Sequence, residues 1–322
     1  MQPAPKILIL DRQADDYRLR LILAFAELDI VAAANPAALP AKLSPFDVLI
    51  AFGLSISDAL LRRMTSLRWI QALGAGVDYF QKSPALRPDV ILTSARGIHG
   101  PPLREHVIFL MQAISRQSAR IAQAKERKTW DRIRWPLLHG KTALVLGTGI
   151  AGAAIAGALK GLGMTVIGAT RTIRPAAGFD RLVALSDLAN SARQADYIIN
   201  VLPGLPENKG LIGREIFVAM RPTAFFVNVG RGDTVDEAAL IECLKQKRIA
   251  GAALDVFQEE PLSPDSPFWA LENVFLTAHV GGYFNEYIDD VLPIIVENLA
   301  CYRQGRIEDM RNRVEASATV KA

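Results

Sequence analysis

The segment Lys141-Thr142-Ala143-Leu144-Val145-Leu146-Gly147-Thr148-Gly149-Ile150-Ala151-Gly152 decides the fold. An apolar run leads into the pattern G-x-G-x-x-G, and the residues that follow have helical spacing. In such a strand–turn–helix unit the first glycine permits a tight turn, the second lets the backbone approach a pyrophosphate, and the third allows the helix to pack closely on the strand. We therefore predict a dinucleotide site at Gly147, Gly149, Ile150, Ala151 and Gly152. The alternative is a glycine-rich turn without a ligand.

Short apolar runs alternate with amphipathic stretches on both sides of this segment. Strands are predicted over 7–10, 48–52, 67–73, 90–93, 142–146, 165–168, 197–201, 224–229, 250–255 and 274–277. Helices are predicted over 17–28, 58–64, 103–123, 151–162, 237–245 and 287–302, and the end, 315–322, is expected to be frayed. This alternation predicts parallel sheets with helices on both faces, and 322 residues are enough for two such domains.

Composition excludes several classes of protein. Half of the residues are apolar and 22% are charged, which is typical of a globular chain. The sequence has no unbroken apolar run of the roughly 18 residues that a membrane span needs, and its first residues do not resemble a signal peptide. The net charge of +4 comes without a basic tract, so no nucleic acid is expected as a partner. The two cysteines, Cys243 and Cys301, form no C-x-x-C pair, which predicts a reducing cytoplasm and no metal site.

The second strand of the nucleotide unit bears on the choice of cofactor. An NAD site usually ends this strand with Asp or Glu, which binds the ribose 2′-OH. This chain instead has Thr170-Arg171, and no carboxylate follows before Asp180. A hydroxyl and an arginine would hold a 2′-phosphate through charge-assisted hydrogen bonds. We therefore favour NADP(H), with NAD(H) possible; the alternative is that Arg171 is only a solvated surface residue.

Three polar side chains that suit acid–base chemistry each follow a predicted strand of this sheet. His279 precedes the pair Gly281-Gly282, and a histidine is the natural group to exchange a proton with an alcohol near neutral pH. Arg231 lies between two glycines, and its planar fork suits a carboxylate and a neighbouring carbonyl. A carboxylate such as Glu260, bonded to the imidazole, would favour the protonated ring. Each residue alone could be structural, but together they predict a catalytic site at the sheet edge where ligands bind.

Four stretches in this order resemble the D-isomer-specific 2-hydroxyacid dehydrogenase family. They are Asn228-Val229-Gly230-Arg231-Gly232-Asp233-Thr234-Val235-Asp236-Glu237, Ala252-Ala253-Leu254-Asp255-Val256-Phe257, Glu260-Pro261-Leu262 and Asn273-Val274-Phe275-Leu276-Thr277-Ala278-His279. The resemblance runs from about residue 50 to residue 285. It implies that Arg231 binds and polarises a 2-oxo acid, that His279 donates and accepts the proton, and that Glu260 tunes His279.

The resemblance also implies further site residues. The loop Leu73-Gly74-Ala75-Gly76-Val77-Asp78 would hold the substrate carboxylate through the backbone N–H groups of Ala75 and Gly76. Asp255 would face the nicotinamide carboxamide, and Leu202-Pro203 would lie along the cofactor. Val229 and Gly281 complete the predicted cofactor set. His99 would contact the substrate if it lines the cleft, and Ala278 stands where the family usually has proline.

We therefore predict an α/β fold class with two doubly wound parallel-sheet domains. A Rossmann dinucleotide-binding domain over 100–284 is inserted in a flavodoxin-like substrate domain made of 1–99 and 285–322. Thr170-Arg171 resembles the glyoxylate/hydroxypyruvate reductase branch, so the predicted activity is hydride transfer between NAD(P)H and a small 2-oxo or 2-hydroxy acid. The family is usually a homodimer, and Trp130 and Trp135 are either part of that interface or local core anchors.

Two alternatives remain open from the sequence. One is a non-enzymatic, NAD(P)-sensing corepressor on the same fold. The other is a dehydrogenase for a larger aromatic or branched 2-oxo acid, with Phe52, Leu54, Trp269 and Tyr283 shaping the pocket.

Overall fold

The computed structural model describes residues 4–314, which divide into two compact units. The terminal unit consists of the described residues up to Ile98 and from Asn285 onward, and the central unit is His99–Phe284. The end predicted to be frayed, 315–322, lies outside the described residues. Within residues 4–314 there is no helix whose length and apolarity would let it cross a membrane.

The terminal unit is built on a six-stranded sheet. Its strands are β1 (Lys6–Leu10), β2 (Asp29–Ala33), β3 (Val48–Ala51), β4 (Trp69–Ala72), β5 (Ile91–Thr93) and β13 (Arg313–Val314), and its helices are α1 (Ala14–Ala24), α2 (Asp58–Arg63), α3 (Asp78–Gln81) and α10 (Tyr287–Arg303). The strand order is β13-β5-β4-β3-β1-β2, with β13 antiparallel to β5 and the other pairs parallel. The order of the first five strands is the flavodoxin-like one that the sequence predicted.

The central unit is built on a seven-stranded, fully parallel sheet. Its strands are β6 (Thr142–Leu146), β7 (Thr165–Thr170), β8 (Arg181–Ala184), β9 (Tyr197–Asn200), β10 (Phe225–Asn228), β11 (Gly251–Leu254) and β12 (Val274–Leu276). Its helices are α4 (Gly100–Ser115), α5 (Ser118–Glu126), α6 (Ile150–Gly161), α7 (Leu188–Ala192), α8 (Arg214–Ala219) and α9 (Glu237–Lys245). The strand order β12-β11-β10-β9-β6-β7-β8 contains the Rossmann order, and the sequence reverses direction between β6 and β9. The predicted fold class is confirmed.

Apolar side chains cover both faces of the central sheet. One cluster packs α4 and α6 against it through side chains such as Met111 and Ile155, and another packs the opposite face through Phe217 and Leu240. Because both faces are buried, the strands read as continuous apolar runs, which is why the sequence identified them. With both faces covered, the loops that follow the strand ends are where a ligand could reach this sheet.

Several predicted elements were wrong in detail. The single helix predicted over 103–123 is two helices, because Gln117 adopts a left-handed conformation with φ 55° and breaks the ladder after α4. The helix predicted over 17–28 begins and ends earlier, and β2 follows it. The strands β2 and β8 were missed because both lie at a sheet edge and are only partly buried, so their apolar pattern is weak. The short elements α3, α7, α8 and β13 were also missed.

Candidate active site

The carboxyl ends of five central strands lie side by side. Leu146 pairs with Asn200, Asn200 with Asn228, Asn228 with Leu254, and Leu254 with Leu276. The residues directly after these strands therefore lie together along the edge formed by the carboxyl ends of the strands. In an open α/β sheet this edge is where ligands bind, at the point where the strand order reverses.

The glycine loop after β6 has the shape of a phosphate cradle. Gly147 has φ +108°, which favours glycine, and a Cβ on Gly152 would lie 1.9 Å from the carbonyl oxygen of Gly147. A Cβ on Gly149 would meet open space. No side chain caps the N-terminus of α6, and Ile150 is exposed there beside Ala151. The loop therefore presents backbone N–H groups and the positive end of a twelve-residue helix, which fits the pyrophosphate of a dinucleotide.

Arg171, just past the end of β7, hydrogen-bonds two side chains of another loop. Its Nη1 donates to Oε1 of Glu207 at 2.8 Å, and its Nη2 donates to Oδ1 of Asn208. Asn208 is buried and donates in turn to the carbonyl of Pro203 at 2.9 Å. Thr170 hydrogen-bonds the carbonyl of Thr172. The predicted 2′-phosphate residue is thus tied to the predicted cofactor loop, Leu202-Pro203.

Arg231 lies in a loop that packs tightly on its neighbour. A Cβ on Gly232 would lie 1.9 Å from the carbonyl carbon of Phe257, so this position admits only glycine. Val229, two residues before Arg231, is buried and donates its N–H to the carbonyl of Asn200. The packing of Gly232 brings the Arg231 loop against the segment that carries Glu260.

His279 and Glu260 form a hydrogen-bonded pair. Nδ1 of His279 lies 2.7 Å from Oε2 of Glu260, and the other carboxylate oxygen accepts the N–H of Phe257 at 2.9 Å. The Glu260 side chain is 13% exposed and that of His279 is 26% exposed. The carboxylate is therefore held on both sides, while the imidazole keeps access to solvent. Of the three predicted catalytic residues, the structure brings these two into direct contact.

Asp255 holds the loop that carries His279. One of its oxygens accepts from Thr277 Oγ1 at 2.6 Å and from the N–H of Val280 at 3.0 Å, and the other accepts from the N–H of Gly281 at 2.9 Å. Burial acts to raise the pKa of Asp255, but the hydrogen bonds from His106, Thr277 and the two amides outweigh it and lower the pKa to about 2. His279 itself has φ 52°, a conformation that costs energy in a non-glycine residue. The Asp255 carboxylate thus fixes a strained loop.

Two further histidines of the central unit lie close to these residues. Nε2 of His106 is 3.3 Å from both Thr277 Oγ1 and Asp255 Oδ1. A Cβ on Gly281 would lie 2.8 Å from the His106 ring, so a larger residue at this position would collide with that histidine. His99 lies against Gly282, and burial, followed by the charge of Arg231, lowers its pKa to about 4. Nothing in the sequence pattern marked Thr277 or His106 as partners of Asp255.

The predicted carboxylate loop belongs to the terminal unit. It follows β4, Ala75 at its tip is exposed, and the carbonyl of Gly74 accepts the N–H of Ala95 at 3.0 Å. Within residues 4–314, no group of three or more His, Cys, Asp or Glu side chains is arranged to hold a metal ion.

Comparison with known proteins gives consistent results. The family described as "D-isomer specific 2-hydroxyacid dehydrogenase, NAD binding domain" matches residues 108–281. The D-3-phosphoglycerate dehydrogenase of Methanocaldococcus jannaschii is 30% identical over 94% of this chain, which spans 58% of that protein's length. The glyoxylate/hydroxypyruvate reductase B of Escherichia fergusonii is 31% identical over 79% of this chain and 80% of its own.

Solved structures agree with these relatives. A D-isomer specific 2-hydroxyacid dehydrogenase family protein from Aeromonas salmonicida superposes with a TM-score of 0.88 at 32% identity, covering 98% of this chain and 100% of that one. The NADPH-dependent glyoxylate/hydroxypyruvate reductase of Sinorhizobium meliloti, solved with NADP and sulfate, gives 0.81 at 26% identity over 97% of this chain and 98% of its own. This chain belongs to the D-isomer specific 2-hydroxyacid dehydrogenase family of NAD(P)-dependent oxidoreductases.

Proposed function

We propose that this protein is an NADPH-preferring reductase of small 2-oxo acids of the glyoxylate/hydroxypyruvate type. The observation that carries the proposal is the 2.7 Å pair of His279 and Glu260 on the same sheet edge as the glycine loop. The Arg231 loop is packed against the segment that carries that pair, so a guanidinium, an imidazole and a carboxylate are brought to one region of the central unit. The named activities of the relatives support the same reading.

The three residues would divide the chemistry between them. The nicotinamide, when bound, supplies the hydride to C2 of the oxo acid. Arg231 would bind the substrate carboxylate and polarise the ketone, because a guanidinium offers two parallel donors. Because Nδ1 of His279 is hydrogen-bonded to Glu260, Nε2 is the atom that would give its proton to the developing alkoxide. Glu260 would orient the ring and stabilise its charged form.

Residues of the central unit would hold the cofactor. The backbone N–H groups at Gly149, Ile150 and Ala151 would face the pyrophosphate, and Arg171 would contact the 2′-phosphate. The absence of a carboxylate between Thr170 and Asp180 favours NADPH, and a relative solved with NADP supports that preference. In the terminal unit, the N–H groups of Ala75 and Gly76 remain our proposal for a carboxylate-binding loop.

We also propose a homodimer that uses the central unit. Large apolar side chains are exposed on α4, on α5 and in the segment after them, namely Phe109, Ile121, Trp130, Trp135 and Leu137. Trp130 is 92% exposed, so it is not a core anchor, and the ring of Trp135 carries the guanidinium of Arg116 at 5.0 Å. Clustered exposed apolar groups of this kind mark interaction surfaces.

A cytoplasmic location is also part of the proposal. The two buried free cysteines fit a reducing cytoplasm.

The substitution His279→Ala tests the acid–base assignment. We expect turnover of glyoxylate to fall by about a hundredfold to ten-thousandfold, because general acid catalysis contributes a factor of this size. NADPH binding, measured by fluorescence titration, should change little. His139→Ala is the matched control, since His139 is an exposed histidine before β6. Comparable turnover in His279→Ala would remove His279 from the mechanism.

A panel of 2-oxo acids, run with NADPH and NADH, tests the activity itself. We expect glyoxylate and hydroxypyruvate to be reduced, with NADPH preferred. Preference for aromatic or branched acids would favour the larger-substrate dehydrogenase instead. Binding of the cofactor without turnover of any acid in the panel would favour the corepressor alternative.

A further inference from the structure

Buried hydrogen bonds link two strand ends beneath the loop that carries Arg231. Asn200 ends β9, Asn228 ends β10, and Thr234 ends the short 3-10 turn after Arg231; none of the three is more than 2% exposed. Nδ2 of Asn200 donates to Oδ1 of Asn228 and to Oγ1 of Thr234, both at 2.8 Å. Both donors of this buried amide are therefore used.

The direction of these bonds is determined by the available protons. A threonine hydroxyl has one proton, and Oγ1 of Thr234 already accepts from Asn200. Its proton therefore goes to the carbonyl oxygen of Arg231, at 2.6 Å. Turning the amide of Asn200 around would place its oxygen against Oδ1 of Asn228 and its NH2 group against the N–H of Leu202, so the observed orientation is the one that satisfies both neighbours.

The same network also holds the backbone that precedes Arg231. Oδ1 of Asn228 accepts the N–H of Gly230 at 3.1 Å. Nη1 of Arg231 donates to the carbonyl of Gly230 at 2.8 Å, so the guanidinium is hydrogen-bonded to a residue whose N–H the network already holds. Oδ1 of Asn200 also accepts the N–H of Leu202 at 3.1 Å, which ties in the proposed cofactor loop.

We propose that Thr234 and Asn200 are positioning residues that set the place of the Arg231 guanidinium for binding the 2-oxo acid. The inference rests on the proposed function, because it assigns Arg231 to the substrate. Thr234 acts directly on the arginine, through the carbonyl of Arg231. Asn200 acts on both the arginine loop and the Leu202-Pro203 loop, so its loss would affect cofactor and substrate together. Both side chains are fully buried, so neither would contact the substrate.

Thr234→Val removes the hydroxyl at nearly constant volume. We expect kcat/KM for glyoxylate to fall by about 10- to 100-fold, since small errors in the placement of a binding group have effects of this size. The dissociation constant of NADPH should stay within about twofold. Thr234→Ser restores the hydroxyl and should recover most of the activity. Asn200→Ala should weaken NADPH binding as well as glyoxylate reduction.

A double-mutant cycle separates positioning from general stability. In the Arg231→Ala background, Thr234→Val should produce no further loss in kcat/KM, because its effect passes through the arginine. Thr93→Val is the matched control: Thr93 is a fully buried hydroxyl of the terminal unit that accepts from Trp69 and donates to Gln71, both at 2.8 Å. It should lower the melting temperature without changing KM.

Two different failures can be told apart. If Arg231→Ala leaves glyoxylate reduction unchanged, the proposed function loses its substrate-binding residue. If Arg231→Ala strongly lowers but does not abolish activity, and Thr234→Val is harmless or is equally harmful in both backgrounds, the positioning role is wrong and the proposed function stands. Thermal unfolding of each variant shows whether a loss comes from misfolding.

Discussion

The central sheet carries two polar regions of different construction on the same edge. After β11 and β12, Asp255 and Glu260 are largely buried, and every carboxylate oxygen of the two accepts at least one hydrogen bond. Arg171, which follows β7, and Glu207, which follows β9, are about half exposed, and their ion pair lies in solvent. The first region is held by backbone N–H groups that cannot move independently, and the second by long side chains.

This difference suggests how each region would meet its ligand. Groups held by several buried hydrogen bonds keep one geometry before the ligand arrives, which is what acid–base chemistry needs. An exposed ion pair contributes only about 0–1 kcal/mol and is screened by salt, so its members can exchange partners. The catalytic region should therefore respond strongly to single substitutions, and the cofactor-phosphate region weakly.

Glu260→Gln is expected to have the largest effect of the substitutions that test this contrast. The amide keeps the shape of the carboxylate but cannot stabilise a charged imidazole, so turnover of glyoxylate should fall by about 10- to 100-fold. Steady-state kinetics at several pH values would measure it. Glu259→Gln, at the exposed neighbouring position, is the control and should leave turnover within about twofold. Equal, small effects in both variants would mean that the buried pair is not part of the chemistry.

The sequence predicted one half of this contrast better than the other. Arg231, Glu260 and His279 follow strands with apolar patterns, so their position at the carboxyl ends of one parallel sheet could be inferred from the alternation of strands and helices. The contact of Gly232 with Phe257, and the partners of Asp255, depend on how loops distant in sequence meet in space, which no local pattern encodes. The pairing of Arg171 with Glu207, 36 residues later, could not be predicted for the same reason. Weakly patterned edge strands such as β2 and β8 were missed because their side chains are only partly buried.

Asp255→Asn tests whether the buried region is stabilised by its carboxylate. The pKa of Asp255 in the folded protein is about 2, below the ordinary 3.8, so its contribution is complete above about pH 4 and is lost as the pH falls toward 2. The gap between these pKa values corresponds to about 2 kcal/mol. Urea unfolding at pH 5 and pH 2 should show the wild type losing about that much more stability than Asp255→Asn.

The exposed Asp265→Asn serves as the control, because it removes a carboxylate that solvent already surrounds. Its unfolding free energy should follow that of the wild type across this pH range. If Asp255→Asn also follows the wild type, then the hydrogen bonds from Thr277 and the two loop amides do not distinguish a carboxylate from an amide, and the buried region is less fixed than its geometry indicates.

Glu207→Gln should have the smallest effect, and in the opposite direction. A 2′-phosphate that approaches Arg171 meets the negative charge of Glu207, which already occupies one guanidinium nitrogen. Removing that charge should tighten the binding of 2′,5′-ADP by up to about fivefold, the value that corresponds to an exposed ion pair of about 1 kcal/mol. Binding of 5′-ADP, which has no 2′-phosphate, should not change. Titration calorimetry at low and high salt would measure both ligands, with Glu215→Gln as the exposed control. Because salt screens the repulsion between Glu207 and the 2′-phosphate, the gain in 2′,5′-ADP affinity should shrink at high salt. An equal gain for both ADP ligands would show that Glu207 acts on the loop and not on the phosphate.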